Sequence, residues 1–352
     1  MSFFNRVFYR RDAAQELSGT ASNEAMPDGS RRQANAPALV MADRAFRPSI
    51  WAIGGGKGGV GKSLVAANLA IMLTRTGSKV LLVDADLGAS NLHTFLGIEG
   101  AGKTLSDLLT GKAADLQSVA NRTPIPNLDL VSGAQDSLDT AEYAATRLCA
   151  ALRTCADYDV VLLDMGPGTS ASILDLFLTA DHGILLTTPE PTSVENTYRF
   201  LKSLFLRRMK NILNGQEHGP SRTLLEKALQ GRSLGEMKTI SDILAKMKAL
   251  NSGSSGRQDF LGEARLSIIV NQTRSIEDKR IGPSMIKAGS DYFGVEINHL
   301  GDILFEHSVL ESVRKRRPLA LHHANSGAAM AIEGCLKNLL STGNVHSRRS
   351  RA

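Results

Sequence analysis

Short apolar runs recur along the chain, separated by longer segments in which apolar residues return every three or four positions. The runs cover residues 50–54, 79–84, 128–131, 159–164, 183–188 and 266–271. Continuous apolar runs of this length are typical of strands buried on both faces, and strands that alternate with helices build parallel sheets. The pattern therefore predicts an α/β fold with a mostly parallel, doubly wound sheet flanked by helices. In such a sheet the ligand binds at the carboxyl ends of the strands.

Three segments depart from this alternation and divide the chain. Residues 1–45 are predicted as a flexible N-terminal extension, since residues 12–45 are rich in Ala, Ser, Gly, Asn and Asp without periodicity. The main domain is predicted over residues 46–341, followed by a basic tail at residues 342–352. A helical insertion is predicted at residues 207–260, with helical patterns at 222–230 and 234–250. This insertion either extends the fold or offers a surface to a partner.

A glycine-rich loop follows the first apolar run and precedes a helical pattern. Its residues are Gly56, Lys57, Gly58, Gly59, Val60, Gly61, Lys62 and Ser63. In such a loop the glycines let backbone N–H groups surround a phosphate, Lys62 reaches the β and γ oxygens, and Ser63 binds Mg²⁺. The N-terminus of the following helix also favours an anion. The loop therefore predicts a nucleotide phosphate as the ligand, and it does not require Lys57.

The extra lysine carries a resemblance to a known family. The stretch GKGGVGKS resembles the deviant Walker A motif of the MinD/ParA family of P-loop ATPases, and the similarity extends through most of residues 50–340. The resemblance implies a P-loop NTPase fold, ATP and Mg²⁺ as ligands, hydrolysis of ATP to ADP and phosphate, and a homodimer formed with ATP. It also implies that Lys57 reaches the phosphates of the partner subunit and acts in catalysis together with Lys62.

Further motifs of the same family follow in the expected order. Asp84 and Asp86 begin a D-x-D-x-x-x-x-N pattern, which implies that Asp86 orients the attacking water and that Asp84 organises the water shell of the metal. Asp164 ends an apolar run before a glycine-containing loop, and it is predicted to bind Mg²⁺ through water. Residues 186–193 resemble the TxPEPTS turn of the family. Asn271 matches the family's asparagine that contacts adenine.

Residues 270–275 and 309–318 most resemble one branch of the family, FlhG, which sets the number and placement of flagella. After the last strand the family has a proline and an acid near the base, and this chain has residues 301–306, with Leu304 in place of the proline. The implied function is a dimerising switch ATPase that controls the position or number of a cellular structure through a protein partner that it regulates or that activates it. A MinD-like division-site ATPase, a ParA-like chromosome or cargo partitioning ATPase, and a nucleotide-dependent binding module with negligible hydrolysis remain as alternatives.

Composition restricts where such a protein works. The three cysteines, Cys149, Cys155 and Cys335, lack C-x-x-C spacing, which favours a reducing cytoplasm over a disulfide framework or an iron–sulfur site. No apolar stretch reaches the roughly 20 residues needed to span a bilayer, and no signal peptide is recognisable. The net charge of +6 and the basic cluster at residues 314–317 leave non-specific DNA binding open. The predicted location is the cytoplasm, with peripheral attachment to the inner face of the cell membrane as an open alternative.

Both chain ends are candidates for attachment to a surface. Phe3, Phe4, Val7 and Phe8 follow helical spacing near three arginines, so residues 1–11 are an interfacial anchor, a helix that docks on a partner, or a disordered start. The last helical pattern, at residues 326–340, fits either an amphipathic membrane helix or the core-facing side of a final helix.

Overall fold

The computed structural model describes residues 47–86, 90–98, 102–133, 141–215, 223–224, 226–227, 239–250 and 265–342. The predictions for residues 1–11, for the rest of the N-terminal extension and for residues 343–352 lie outside the described residues. So do parts of the two helical patterns predicted in the insertion. Within the described part of the chain, no helix is both long and apolar enough to cross a membrane.

One eight-stranded sheet organises the described residues. Its strands are β1 (Ser49–Gly54), β2 (Val80–Ala85), β3 (Asn121–Arg122), β4 (Leu128–Val131), β5 (Val160–Met165), β6 (His182–Thr187), β7 (Arg265–Thr273) and β8 (Ile297–Leu304). Their spatial order is β3-β4-β2-β5-β1-β6-β7-β8. Neighbouring strands are parallel, except that β3 pairs antiparallel with β4. The predicted mostly parallel sheet flanked by helices is confirmed.

The helices are α1 (Lys62–Arg75), α2 (Leu92–Leu96), α3 (Leu105–Leu109), α4 (Ala141–Arg153), α5 (Ala171–Leu178), α6 (Pro191–Gly215), α7 (Ile240–Leu250), α8 (Ile281–Phe293), α9 (His307–Arg314), α10 (Leu319–His322) and α11 (Gly327–Thr342). Helix α7 lies within the predicted pattern at 234–250. Helix α6 continues to Gly215, past the predicted start of the insertion at 207, and its Met209 is buried. Helix α11 buries Ile332, Leu336 and Leu339, so of the two interpretations of residues 326–340 the structure supports a core-facing final helix.

Strand β8 was not among the predicted apolar runs. It lies at the edge of the sheet, and only every third residue along most of its length is buried, so polar residues such as Asn298 and Asp302 interrupt its apolar pattern. Residues 301–304 belong to this strand, whereas the sequence placed them after the last strand. Only Phe305 and Glu306 separate the end of β8 from α9, and the Phe305 N–H still donates to the Thr273 carbonyl oxygen of β7 at 2.9 Å.

The centre of the core is formed by β1 and α1. Strand β1 pairs with β5 on one side and β6 on the other, and its Trp51, Ala52 and Ile53 have no exposed surface. Helix α1 buries eleven of its fourteen residues, because it is covered by the sheet on one side and by α10 and α11 on the other. Even its buried Asn68 is paired: the amide accepts a hydrogen bond from the Ala320 N–H at 2.7 Å. The loop between β1 and α1 is thus held at both ends by buried elements.

Candidate functional site

The glycine-rich loop closes tightly between β1 and α1. Gly59 and Gly61 have φ angles of 77° and 96°, a left-handed region that glycine adopts without steric cost. A side chain at Gly56 would come within 2.3 Å of the Asn196 carbonyl oxygen. Gly61 is the N-cap of α1 and provides no side-chain cap, so the first N–H groups of the helix are available to an anion. The loop has the geometry of a phosphate-binding cradle.

The two lysines of the loop occupy different environments. Lys62 is only 7% exposed, and its Nζ donates to the Lys57 carbonyl oxygen at 3.3 Å. Burial lowers the pKa of Lys62, while the carboxylates of Asp164 and Asp86 oppose that shift. The Lys62 ammonium therefore lies inside the cradle, close to the acidic residues of the site.

Lys57 instead points to the turn that follows β6. Its side chain is 36% exposed, and its Nζ donates to Glu190 Oε2 at 2.6 Å and to Thr192 Oγ1 at 3.2 Å. The hydrogen bond and charge of Lys57, with a further contribution from Arg274, hold the pKa of Glu190 below its usual range. Lys57 is therefore an exposed cation at the mouth of the cradle, paired with a carboxylate of its own subunit.

Two predicted metal-site carboxylates lie side by side in the sheet. Asp84 on β2 is the register partner of Asp164 on β5. Asp84 accepts hydrogen bonds from the Ser90 hydroxyl at 2.8 Å and the Leu92 N–H at 3.0 Å. Burial raises the pKa of Asp84 in spite of these bonds. The hydrogen bonds tie Asp84 to Ser90 and to the start of α2.

Asp164 is the more deeply buried of the pair. It is 2% exposed and bonds to the Ser63 side chain, and burial raises its pKa to about 7. Among the described residues its Oδ1 has no hydrogen-bond partner. Buried polar atoms are nearly always satisfied, so this oxygen marks a place for a water or a hydrated cation.

Asp86 lies against the loop that follows β5. A side chain at Gly166 would approach Asp86 Oδ1 to 3.1 Å, so the loop needs its small residue to stay close to this carboxylate. Asp86 also lines the pocket that contains Lys62 and Ser63. It is therefore placed to reach a group bound beyond the phosphate cradle.

The donor set fits Mg²⁺. The described residues contain no group of three or more His, Cys, Asp or Glu that could hold a metal by themselves. Mg²⁺ in nucleotide sites is bound by one or two protein oxygens together with phosphates and waters, and Ser63 with the unpartnered oxygen of Asp164 supplies such a set. Asp84 lies next to Asp164 and fits the predicted role in the surrounding water shell.

Strand β7 contacts the phosphate loop from the side of β1 opposite to β5 and β2, the strands that carry Asp164 and Asp84. Asn271 is buried, and its Nδ2 donates to the Val60 carbonyl oxygen at 2.8 Å. Its neighbour Gln272 donates through Nε2 to the Gly59 carbonyl oxygen at 3.3 Å. The predicted contact of Asn271 with adenine stays a prediction, since the side chain is bonded here to the loop backbone.

A pocket of about 450 Å³ joins these groups to an apolar wall. Its polar lining includes Lys62, Ser63, Asp86, Asn271 and Glu306, and its apolar lining includes Phe95, Leu304, Phe305, Val309, Leu310 and Val313. The Arg274 guanidinium lies 4.1 Å from the centre of the Phe305 ring. A polar end for phosphates and an apolar end for a planar ring suit a nucleotide.

Some residues of the site were not among the predicted ones. Glu190 and Thr192 lie in the TxPEPTS turn, which the sequence singled out without assigning a task to either side chain. Gln272 directly follows Asn271, and its φ of 62° has no signature in the sequence. Of the predicted residues, the pocket brings together Gly58, Gly59, Gly61, Lys62, Ser63, Asp86 and Asn271. Asp164 lies beside it through its bond to the Ser63 side chain, and Lys57 points to Glu190 instead.

Comparison with known proteins agrees with this geometry. Residues 49–215 match the sequence model of a family described as an AAA domain. The chain is 26% identical over 285 residues to the antiactivator FleN of Pseudomonas aeruginosa, covering 80% of this chain and 82% of that protein. It is 35% identical over 149 residues to the septum site-determining protein MinD of Helicobacter pylori, covering 41% of this chain and 54% of that protein.

Solved structures of MinD proteins are also similar to this chain. The septum site-determining protein MinD of Pyrococcus horikoshii, solved in complex with Mg-ADP, superimposes with a TM-score of 0.57 at 25% identity, over 86% of this chain and 99% of that one. A MinD cell division ATPase from Pyrococcus furiosus gives a TM-score of 0.56 at 24% identity, over 84% and 99% of the two chains.

Proposed function

Because the chain belongs to the MinD/ParA family of P-loop ATPases, we propose that it hydrolyses ATP and that ATP joins two copies into a dimer. The dimer acts as a switch that controls the position or number of a cellular structure. The active form engages a surface or a protein partner, and hydrolysis releases it.

The position of Lys57 carries this proposal. The phosphate cradle already contains a buried lysine, Lys62, and Lys57 lies at the exposed mouth with its Nζ on Glu190. A surface ion pair of this kind contributes little and is easily exchanged. A phosphate group presented by a second copy offers Lys57 a stronger, charge-assisted bond. Lys57 thus joins the two subunits only when the facing pocket contains a nucleotide.

The remaining residues supply the parts that phosphoryl transfer needs, which are positioning and charge stabilisation. Lys62 neutralises charge at the phosphates, and Asp86 orients the attacking water. Mg²⁺, when bound by Ser63 and through water by Asp164, would neutralise the β and γ oxygens. Gly168, with a φ of 105°, gives the loop after β5 the freedom to follow the γ-phosphate.

The cellular process that we propose is control of flagellar number or placement. Support comes from the similarity to the antiactivator FleN, which extends over 80% of this chain, and from the FlhG-like stretches at 270–275 and 309–318. A division-site function is the second candidate, favoured by the higher identity to the septum site-determining MinD of Helicobacter pylori, although that match spans only 41% of this chain.

The proposal is tested with full-length protein. ATP turnover is measured alone, with vesicles containing anionic lipid, and with double-stranded DNA, and sedimentation follows the dimer. ATP-dependent dimerisation with turnover supports the proposal. Dimerisation with no turnover under any condition favours the nucleotide-dependent binding module. Deletion of the gene separates the two cellular roles, since altered flagellar counts support the first and misplaced septa the second.

A further inference from the structure

We infer that Gln272 is a positioning residue for the phosphate loop. The left-handed backbone of β7 at Gln272 directs its side chain toward that loop. The inference rests on the proposed ATP binding. It concerns how this chain holds its cradle in shape before the nucleotide arrives.

The backbone conformation of Gln272 is the first observation. Its φ of 62° is left-handed, which is uncommon for a residue with a long side chain. The pairing of β7 with β8 is irregular between Asn271 and Thr273, so Gln272 forms a bulge in the strand. Bulges redirect a side chain at a functional edge of a sheet, and left-handed non-glycine residues persist where their surroundings enforce them.

The second observation is what the bulge achieves. The Gln272 N–H donates to Asn271 Oδ1 at 2.9 Å, and Asn271 Nδ2 donates to the Val60 carbonyl oxygen at 2.8 Å. The Gln272 side chain meets the adjacent Gly59 carbonyl oxygen at 3.3 Å. Two consecutive carbonyls of the loop are thus held by two consecutive residues of β7.

The geometry of the peptide bond explains how holding these two carbonyls orients the N–H groups of the loop. In a planar trans peptide the C=O of one residue and the N–H of the next point in opposite directions. Holding the Gly59 and Val60 carbonyls toward β7 therefore turns the N–H groups of Val60 and Gly61 away from it. These N–H groups belong to the loop that binds the anion. Gln272 and Asn271 act on the phosphates through the loop.

The test compares Gln272→Ala, Gln272→Gly and Gln272→Glu in the full chain. Titration calorimetry measures binding of MgATP and of magnesium tripolyphosphate, which has no base or ribose. Each variant should bind both probes about tenfold more weakly than the native chain, the equivalent of one lost hydrogen bond. The Glu variant keeps the reach of the side chain but places an acceptor against a carbonyl, so it should bind no better than the Ala variant.

Thermal unfolding of the nucleotide-free proteins supplies a second readout. Gln272→Gly relieves the left-handed backbone, so it should unfold at a higher temperature than Gln272→Ala although both bind weakly. Asn127→Gly is the matched control, because Asn127 has a φ of 63° in the turn before β4, at the amino end of the sheet. It should bind both probes like the native chain.

Three results with the variants would overturn the inference. Native affinity in the Ala and Gly variants excludes a positioning role. Weakening with MgATP but not with tripolyphosphate assigns Gln272 to the base or ribose instead. An Ala variant that unfolds at or above the temperature of the Gly variant shows that the backbone is not strained. If the native chain binds both probes but neither dimerises nor turns over ATP, the proposed function is refuted, and the comparison of the Gln272 variants still stands. If the native chain binds neither probe, both the proposed function and the inference about Gln272 are refuted.

Discussion

Replacing Lys57 with alanine should leave ATP bound and separate the ATP-dependent dimer into monomers. Among the described residues of one subunit, the Lys57 side chain forms hydrogen bonds only with Glu190 and Thr192. Both contacts lie at the surface, where ion pairs contribute little to stability. The fold and the affinity for ATP, which depend on Lys62 and the loop backbone, should therefore change little.

The effect on the dimer should be large. A hydrogen bond between a charged lysine and a phosphate contributes about 1.5–3 kcal/mol. A symmetric dimer contains this contact twice, so the variant loses about 3–6 kcal/mol, or a factor of about 10²–10⁴ in the dimerisation constant. Replacing Glu190, the partner of Lys57 within the subunit, should change the dimerisation constant in the opposite direction. Glu190→Gln weakens the hold on Lys57 and should strengthen dimerisation.

Sedimentation velocity over a range of protein concentrations, with Mg²⁺ and a non-hydrolysable ATP analogue, measures the dimerisation constant, and a fluorescent nucleotide measures affinity. Lys337→Ala is a matched control, because Lys337 is also exposed and pairs with a glutamate, Glu333, at 2.7 Å, but lies on α11. Equal dimerisation constants for Lys57→Ala and Lys337→Ala would refute a role for Lys57 across the dimer. Loss of nucleotide affinity in Lys57→Ala would show that this lysine serves its own pocket.

Five other changes have defined outcomes. Asp86→Ala should slow turnover on the order of 10²-fold or more while the ATP-bound dimer accumulates, whereas Lys62→Ala should weaken ATP binding itself; normal steady-state turnover in Asp86→Ala contradicts its role. Asp164→Asn removes a buried carboxylate whose ionisation is opposed by burial, so calorimetry should show a higher unfolding temperature at pH 8 together with loss of Mg²⁺-dependent turnover; an unchanged turnover would exclude it from the metal site. Asn68→Ala leaves a buried N–H unpaired and should cost about 1–3 kcal/mol in denaturant unfolding, and a change near zero would contradict that pairing. Deletion of residues 1–11 should abolish ATP- and salt-dependent sedimentation with liposomes, since two copies of a weak anchor gain avidity in a dimer; undiminished lipid binding would move attachment elsewhere.

Periodicity was sufficient for the central strands because their burial on both faces leaves an unbroken apolar run. It failed at the edges of the sheet. Only three of the eight residues of strand β8 are buried, so polar residues interrupt its apolar pattern. The two-residue strand β3 is too short to show a period. Sequence motifs singled out the glycine-rich loop, Asp84, Asp86 and Asp164, because a phosphate and Mg²⁺ site calls for those residue types at fixed places; their roles toward these ligands stay predictions.

The contacts between distant segments could not be predicted in this way. The pairing of Lys57 with Glu190 joins residues 133 positions apart, and that of Asn271 with Val60 joins residues 211 positions apart. Each depends on where β6 and β7 lie relative to β1, which only the folded sheet determines. The bulge at Gln272 is a similar case, because glutamine carries no local preference for a left-handed backbone.

The origin of the phosphate loop in β1 has a consequence for the lifetime of the protein. A central strand that is paired on both sides and fully buried opens only when the whole domain unfolds. Occupation of the pocket and unfolding are therefore mutually exclusive, and free ATP at one hundred times the dissociation constant would stabilise the domain by about 2.7 kcal/mol. That lowers the unfolded fraction about a hundredfold. Because proteases remove unfolded chains in the cell, loaded molecules should outlive empty ones, so the energy supply would set the abundance of the switch as well as its state.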